Sequence, residues 1–368
     1  MNARSGAEVE KFFVAPNEPV TVRVHRSMTG TMHRFRRRAP DRLAPRRLVA
    51  LAAWTALAGC TGEGRSPTTC PLTLAAALTP SKMDDLSSAP STAPADPPVK
   101  LSEPAYELAA DRERRARVAK EELGPQTITT IVSDIFVVIG APGWAGAGLA
   151  RSVALLRSAM GGYMNSRFGR KPAQAISVYL FPEGTTYESF CKKKYGAPCI
   201  AHYGFYQPDD RYMVMNIGLG LGTLTHEIVH PLVETDFPAA PTWLNEGIAS
   251  LFEAPVIPKA GEIHGVKNWR HPRLKRALLS PVDREDARLD VMFTMRDELF
   301  RSANEDLHYA MARYVCQWLD ECGKLWAFYQ RWRDTVATDP PGATAFQQVG
   351  GMTPAAASPV WSRWTLTL

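Results

Sequence analysis

The stretch GTLTHEIVHPLVETDFPAAPTWLNEGIASLFE, Gly222 to Glu253, places two histidines and several carboxylates in a short span of the chain. His226, Glu227 and His230 form an H-E-x-x-H pattern. On an α-helix, residues four apart lie one turn apart on nearly the same face, so both imidazoles can point at one metal ion while Glu227 projects beside them. The alternative is two core or surface histidines on an amphipathic helix. The pattern predicts a metal site.

A catalytic zinc ion needs a third protein ligand and an open position for water. Glu234 lies eight residues beyond His226, which is about 12 Å along a continuing helix and too far for a shared metal. Asp236 follows His230 by six residues, where proteases with the H-E-x-x-H-x-x-G-x-x-H pattern have their third ligand. Val233 replaces the glycine that turns the chain in that pattern, so Asp236 is a possible but weakly supported ligand.

A second helix is predicted after the first one ends at Pro238 and Pro241. Its apolar residues are Trp243, Leu244, Ile248, Leu251 and Phe252. Packed against the first helix, this second helix can bring Glu246 to the metal from the other side, so Glu246 is the predicted third ligand. Pro231 cannot donate a hydrogen bond to the carbonyl of Glu227, which predicts a local kink in the first helix.

H-E-x-x-H followed by W-L-N-E-G-x-A resembles the signature of gluzincins, the thermolysin-like and aminopeptidase-like zinc proteases. The wider stretch from Gly204 to Glu253 looks most like bacterial MA-like peptidases of that clan, and the resemblance extends more loosely over residues 128–323. It implies an α+β fold, with a zincin-like domain that has a small mixed β-sheet, an active-site helix and a mainly helical C-terminal part. It also implies that residues 211–216, RYMVMN, form the edge strand that pairs with an extended peptide.

The same resemblance implies a zinc metallopeptidase that binds one Zn²⁺ per chain and acts on a peptide or protein substrate. His226, His230 and Glu246 match the metal ligands, and Glu227 matches the catalytic base. Two other functions stay open from the sequence. One is a non-catalytic binding or structural lipoprotein that retains the fold, and the other is a zinc hydrolase with a substrate other than a peptide.

Enzymes of this kind use a Tyr or His from a later helix to stabilise the transition state. His308, Tyr309 and Tyr314 are the candidates, with core packing as the alternative for each of them. Asn245 and Ser250 are candidates to hold the metal ligands in place, or are ordinary helix residues.

The N-terminal residues have the layout of an export signal. A cluster of arginines precedes the apolar run LVALAAWTALA, residues 48–58, which is too short to span a bilayer. The run ends in LAGC, which resembles the lipobox of bacterial lipoproteins and predicts lipidation of Cys60. Thr61, rather than Asp, follows the cysteine, so we expect a lipid anchor in the outer membrane of the bacterial cell envelope. A plain signal peptide with a coincidental cysteine is the alternative.

Composition divides the chain into three parts. Residues 1–59 are an upstream segment and signal peptide, residues 60–103 read as a disordered Pro/Ser/Ala-rich tether, and residues 104–368 form the predicted gluzincin-like metallopeptidase domain. The net charge of +6 comes from the leader, because residues 1–59 hold eleven Lys/Arg and four Asp/Glu, a balance of +7 that leaves −1 for the rest. The domain is therefore not expected to bind nucleic acid.

Export changes what the cysteines predict, because disulfides form in oxidising compartments. Cys191 with Cys199, and Cys316 with Cys322, are the predicted short-loop disulfides, with buried free thiols as the alternative. Cys70 is then left unpaired inside the predicted tether.

Local patterns predict the main elements. Strands are expected at ITTIVS and IFVVIGAPG with a turn at Ser133–Asp134, and again at AISVYLF, residues 175–181. Helices are expected at residues 105–123, over GLARSVALLRSAMGGYMNSRF, and over LHYAMARYVCQWLDECG with Gly323 as its C-cap.

Overall fold

The computed structural model describes Cys70, Leu72, residues 105–142 and residues 146–368. The predicted signal peptide, the predicted lipidation site Cys60 and most of the predicted tether lie outside the described residues.

A five-stranded mixed sheet lies at the N-terminal side of the described chain. Its strands are β1 (Ile128–Val132), β2 (Phe136–Gly140), β3 (Ile176–Phe181), β4 (Gly204–Gln207) and β5 (Tyr212–Asn216). The order across the sheet is β1-β2-β3-β5-β4, with β2, β3 and β5 parallel and an antiparallel strand at each edge. Ser133 and Asp134 both have positive φ and form the predicted tight turn between β1 and β2.

The prediction that residues 211–216 form the edge strand is wrong. β5 lies between β3 and β4 and forms hydrogen-bonded ladders with both. Met213, Val214 and Met215 are all fully buried, which is the pattern of a central strand covered on both faces. The short strand β4 covers the outer side of β5 and is the edge of the sheet.

Helices make up most of the remaining structure and dominate after β5. They are α1 (Leu108–Leu123), α2 (Ala147–Met164), α3 (Gly184–Tyr195), α4 (Gly222–Glu227), α5 (Val229–Asp236), α6 (Thr242–Leu251), α7 (His271–Leu279), α8 (Leu289–Phe293), α9 (Asp297–Phe300), α10 (Glu305–Glu321), α11 (Leu325–Thr335), α12 (Ala343–Gly350) and α13 (Pro354–Thr367). The small mixed sheet and the mainly helical C-terminal part are confirmed. Among the described helices, none combines the length and apolar composition needed to cross a bilayer.

Two apolar cores lie on opposite faces of the sheet, because successive side chains of a strand point to opposite faces. In β3, Val178 and Leu180 join the larger core with α2 and the C-terminal helices. Tyr179 and Phe181 join the smaller core with α1 and α3. β3 is therefore buried on both faces, and the larger core connects the sheet to the helices that carry the predicted metal ligands.

A glycine allows α6 and α10 to pack closely. A Cβ atom at Gly247 would lie 2.8 Å from the carbonyl oxygen of Ala312 and 2.9 Å from the sulfur of Cys316. A side chain there would force the two helices apart. Because Glu246 directly precedes this contact, the close packing fixes the position of its backbone beside α10.

The cysteines pair differently from the sequence prediction. Cys191 and Cys199 form the predicted disulfide. Cys322, however, is bonded to Cys70, and Cys316 is a buried free thiol. The predicted pairing of Cys316 with Cys322 is wrong because six residues span about 9 Å along a helix axis, which exceeds the Cα–Cα separation that a disulfide tolerates. Cys316 instead packs against α6.

The disulfide holds a short N-terminal segment against the C-terminal helices. Cys70 belongs to the same compact unit as the rest of the described chain. Leu72 is buried in the larger core and lies close to Gly350 at the end of α12. The prediction that residues 60–103 form a disordered tether is therefore wrong at Cys70 and Leu72.

Candidate metal centre

The helix that carries the two histidines is interrupted between them. α4 ends at Glu227, α5 begins two residues later, and Ile228 lies at the junction. Pro231 has no N–H to donate to the carbonyl of Glu227, so the hydrogen-bond ladder breaks where the sequence predicts a kink. His226 and His230 remain neighbours across the break, with ring centroids 5.1 Å apart.

α6 brings Glu246 to the two histidines. Its Oε2 lies 3.4 Å from Nε2 of His226. One ligand atom from each of His226, His230 and Glu246 lies within 4.8 Å of the other two. Two ligand atoms bound to one tetrahedral zinc ion, each about 2.1 Å from it, are about 3.4 Å apart. The distance between Oε2 of Glu246 and Nε2 of His226 has the same value.

The chemistry of this donor set fits a metal ion. Oε2 of Glu246 is buried and has no hydrogen-bond partner among the described residues. Leaving a carboxylate oxygen in that state is costly unless a cation compensates it. Two imidazoles and one carboxylate are also the ligands of one of the common catalytic zinc sites. The buried His226, His230 and Glu246 group can therefore hold a metal ion.

The charges around the site favour the ionised form of Glu246. Burial raises the pKa of this carboxyl group, but the neighbouring His226 and His230 and the guanidinium of Arg301 outweigh burial and hold the pKa well below its usual range. Burial lowers the pKa of His226, but the carboxylates of Glu246 and Glu227 raise it above its ordinary value. Because a metal binds carboxylates and neutral imidazoles, a proton on His226 competes with the metal.

Asn245 orients the second histidine. Its Oδ1 lies 2.9 Å from Nδ1 of His230. An amide oxygen accepts hydrogen bonds and does not donate them, so Nδ1 carries the proton and Nε2 keeps its lone pair for a metal. Asn245 thus contacts a predicted ligand, which is the first of the two alternatives that the sequence left open for it. Ser250, the other candidate for such a role, has a buried hydroxyl without a hydrogen-bond partner in the described part of the chain.

Glu227 lies beside His230 and lines an open cavity. One of its carboxylate oxygens is 3.7 Å from Nε2 of His230. The cavity has a volume of about 370 Å³, and its lining includes Tyr203, Gly204, His226, Glu227, Arg270 and Tyr309. Since Gly204 begins β4, the edge strand of the sheet reaches the cavity wall. A carboxylate in this position can take a proton from a molecule that enters the cavity.

The two competing carboxylates lie outside the ligand group. Asp236 is fully buried, and its Oδ2 accepts a hydrogen bond of 2.9 Å from Nη1 of Arg333. Its other oxygen lies 3.6 Å from Nε of Arg170. Asp236 is thus committed to a structural ion-pair cluster. Glu234 is exposed and neighbours Tyr206 on β4.

Of the three candidate transition-state donors, Tyr309 lines the cavity. His308 is buried, and its Nδ1 lies 3.0 Å from the carbonyl oxygen of Phe300. The hydroxyl of Tyr314 accepts a hydrogen bond of 3.1 Å from the backbone nitrogen of Asn268. His308 and Tyr314 are therefore engaged in packing, which was the alternative for each of them.

Arg301 is a site residue that the sequence did not indicate. It directly follows α9, and its Nη2 donates a hydrogen bond of 2.6 Å to Oε1 of Glu246. Its Nη1 lies 2.5 Å from the hydroxyl of Tyr309 and 3.2 Å from Oε1 of Glu305. The separation of 55 residues between Arg301 and Glu246 carries no periodic signal, so only the folded structure shows this contact.

No protein-family model matches the sequence, and no curated protein matches it. The functional assignment therefore depends on the motif and on the geometry of the site.

Proposed function

We propose that this chain is a zinc-dependent peptide hydrolase with a gluzincin-like, zincin-type domain. The observation that carries the proposal is the convergence of His226, His230 and Glu246 within 4.8 Å, with Glu227 beside His230 in the lining of an open cavity. The sequence resemblance to gluzincins assigns roles to the same four residues. Motif and geometry thus support the same chemistry.

Each residue has a defined part in the proposed reaction. Bound zinc supplies Lewis-acid chemistry, since it polarises a carbonyl group and makes water more acidic. His226, His230 and Glu246 hold the ion. A carboxylate oxygen of Glu227 takes the proton from the attacking water and later gives it to the leaving amine. The hydroxyl of Tyr309 donates a hydrogen bond to the negative charge that develops on the carbonyl oxygen.

The proposal also includes a location. The arginine cluster, the apolar run and LAGC in the leader support export and lipid attachment at Cys60. The enzyme then acts on a peptide or protein substrate at the bacterial cell envelope, anchored to the outer membrane.

The test measures zinc content and hydrolysis of a mixed peptide library, with and without a chelator. Wild-type protein is expected to bind about one zinc ion per chain and to lose activity when the metal is removed. Glu227→Gln preserves the shape of the side chain but cannot accept the proton, so zinc should stay while activity falls by roughly 10² to 10⁴-fold. Glu234→Gln is the matched control, because this exposed residue lies close in sequence and outside the ligand group.

Two outcomes contradict the proposal. Zinc bound at full occupancy without cleavage of any peptide favours the non-catalytic binding function. Peptide hydrolysis that survives both chelation and Glu227→Gln shows that the activity does not use this site.

A further inference from the structure

The two oxygens of Glu246 have different surroundings. Oε1 accepts the 2.6 Å hydrogen bond from Arg301. Oε2 has no hydrogen-bond partner among the described residues and faces Nε2 of His226 at 3.4 Å. One oxygen is thus occupied by a guanidinium group, and the other is left for a metal.

We propose that Arg301 is a positioning residue that makes Glu246 bind the metal through Oε2 alone and that couples this ligand to Tyr309. The inference rests on the metal centre of the proposed function and extends it to a residue outside the motif. Arg301 does not touch the metal in this proposal. It acts by fixing the orientation of the carboxylate and of the phenol hydroxyl.

The geometry of the guanidinium group explains why one residue can orient two others. Its donors lie in a rigid plane, so contacts made by Nη1 and Nη2 have fixed relative directions. Nη2 contacts Glu246 on α6, while Nη1 contacts Tyr309 on α10. A shift of either helix therefore changes both contacts. Without Arg301, the carboxylate of Glu246 can turn, and metal binding must then restrict it at an entropic cost.

The positive charge of Arg301 is expected to change the zinc affinity less than its orienting role does. A cation close to a dication repels it, and this repulsion alone predicts tighter zinc binding when Arg301 is removed. Glu305, at 3.2 Å, offsets that charge, and the Arg301 side chain is 48% exposed, so solvent screens it further. We therefore expect the loss of orientation to exceed the relief of repulsion, and zinc binding to weaken.

The first measurement is the zinc Kd of the full-length protein, obtained by competition with a chromophoric chelator, which requires no activity. Arg301→Ala is expected to weaken zinc binding by roughly 10- to 100-fold, the usual effect of losing a partner that orients a metal ligand. Arg301→Lys keeps a donor for Glu246 and should recover most of that affinity. Arg273→Ala is the matched control, since Arg273 forms an ion pair of 2.6 Å with Asp306, which lines the cavity outside the ligand group.

The second measurement separates orientation from general damage to the fold. Thermal unfolding of the metal-free proteins shows whether each variant is folded, and Arg301→Lys remains informative if Arg301→Ala does not fold. With zinc saturating, Arg301→Ala and Tyr309→Phe should both lower kcat, while Tyr309→Phe leaves the zinc Kd unchanged. Because Arg301 acts partly through Tyr309, the double variant should lose less than the product of the two single losses.

Each of the following results supports or overturns the positioning role of Arg301. Weaker zinc binding in Arg301→Ala, recovery in Arg301→Lys and an unchanged control support the inference. Equal or tighter zinc binding in a folded Arg301→Ala protein overturns it. If wild-type protein binds zinc but hydrolyses no peptide, the proposed function fails while the affinity measurements still judge Arg301. If wild-type protein binds no zinc, the metal centre fails and this inference with it.

Discussion

Removing the disulfide between Cys70 and Cys322 is expected to destabilise the domain more than removing the one between Cys191 and Cys199. The two bonds close very different loops, with sequence separations of 252 and 8 residues. In the chain-entropy treatment of disulfides, the restriction of the unfolded chain grows with the logarithm of loop length. It amounts to about 5.5 kcal/mol for the long loop and about 2.5 kcal/mol for the short one. The expected difference is therefore about 3 kcal/mol.

The assay is denaturant unfolding under non-reducing conditions of two double variants, Cys70→Ser/Cys322→Ser and Cys191→Ser/Cys199→Ser. Paired replacement avoids a new free thiol that could form a wrong bond. Cys316→Ala is the control, because this cysteine is a buried free thiol and its loss removes no cross-link. Non-reducing peptide mapping of the wild-type protein identifies the bonded pairs directly.

A peptide that links Cys316 to Cys322 would refute the pairing of Cys70 with Cys322. A different result would refute the argument from loop length. If both double variants lose the same free energy of unfolding, the length of the closed loop does not control the effect, and strain or residual structure in the unfolded chain does.

Three further predictions concern single residues. Glu246→Ala should lose bound zinc, whereas Asp236→Ala should keep it. Asp236→Ala should lose roughly 1.5 to 3 kcal/mol of stability, because it removes a hydrogen bond between charged groups, while the arginines left behind are partly exposed to water. Elemental analysis and denaturant unfolding report the two effects, and zinc lost only from Asp236→Ala would exchange their roles. Asn245→Ala should weaken zinc binding by roughly tenfold or more by freeing the ring of His230, which chelator competition measures. Burial raises the pKa of Asp111, but a hydrogen bond from Tyr106 and the charge of Arg115 outweigh burial and lower this pKa below its ordinary value. The ionised Asp111 therefore stabilises the fold above the unfolded-state pKa, and this stabilisation is lost as the pH falls through the folded-state pKa. Asp111→Asn should make the free energy of unfolding less sensitive to acid, and an unchanged acid transition counts against this reasoning.

The parts of the site that depend on local spacing were predictable. Residues four apart on a helix face the same way whatever surrounds the helix, so His226 and His230 could be assigned as a pair from the sequence. Pro238 and Pro241 predicted a break between two helices, because two prolines close together each lack the N–H that the helix hydrogen-bond ladder needs. That break made Glu246 a better candidate than Asp236, and the structure places Glu246 with the two histidines.

The parts that depend on tertiary packing were not predictable in the same way. Arg301 reaches Glu246 across 55 residues, and Cys70 reaches Cys322 across 252. No periodicity in the chain encodes such contacts, since they result from how separate helices pack. The same limit explains the error over β5, because the edge position was taken from the resemblance, and the pairing of β5 with β4 is a tertiary contact that the sequence does not show.

If the chain is lipidated at Cys60, as proposed, the bond between Cys70 and Cys322 limits how far from a bilayer the cavity can lie. In that chain only nine residues lie between Cys60 and Cys70, and the ten Cα-to-Cα steps between the two cysteines span at most about 35 Å. If both the bond and the packing of Leu72 in the larger core were lost, the first described helix, at Leu108, would lie 48 residue positions from Cys60, and the maximum reach would become about 170 Å. Tyr309 at the cavity and Cys322 lie on the same helix about 20 Å apart. In such a lipidated chain, a reductant that cleaves this disulfide and thereby lets Leu72 leave the core would extend the distance that the cavity can reach from the bilayer, while every residue of the proposed metal centre stays the same.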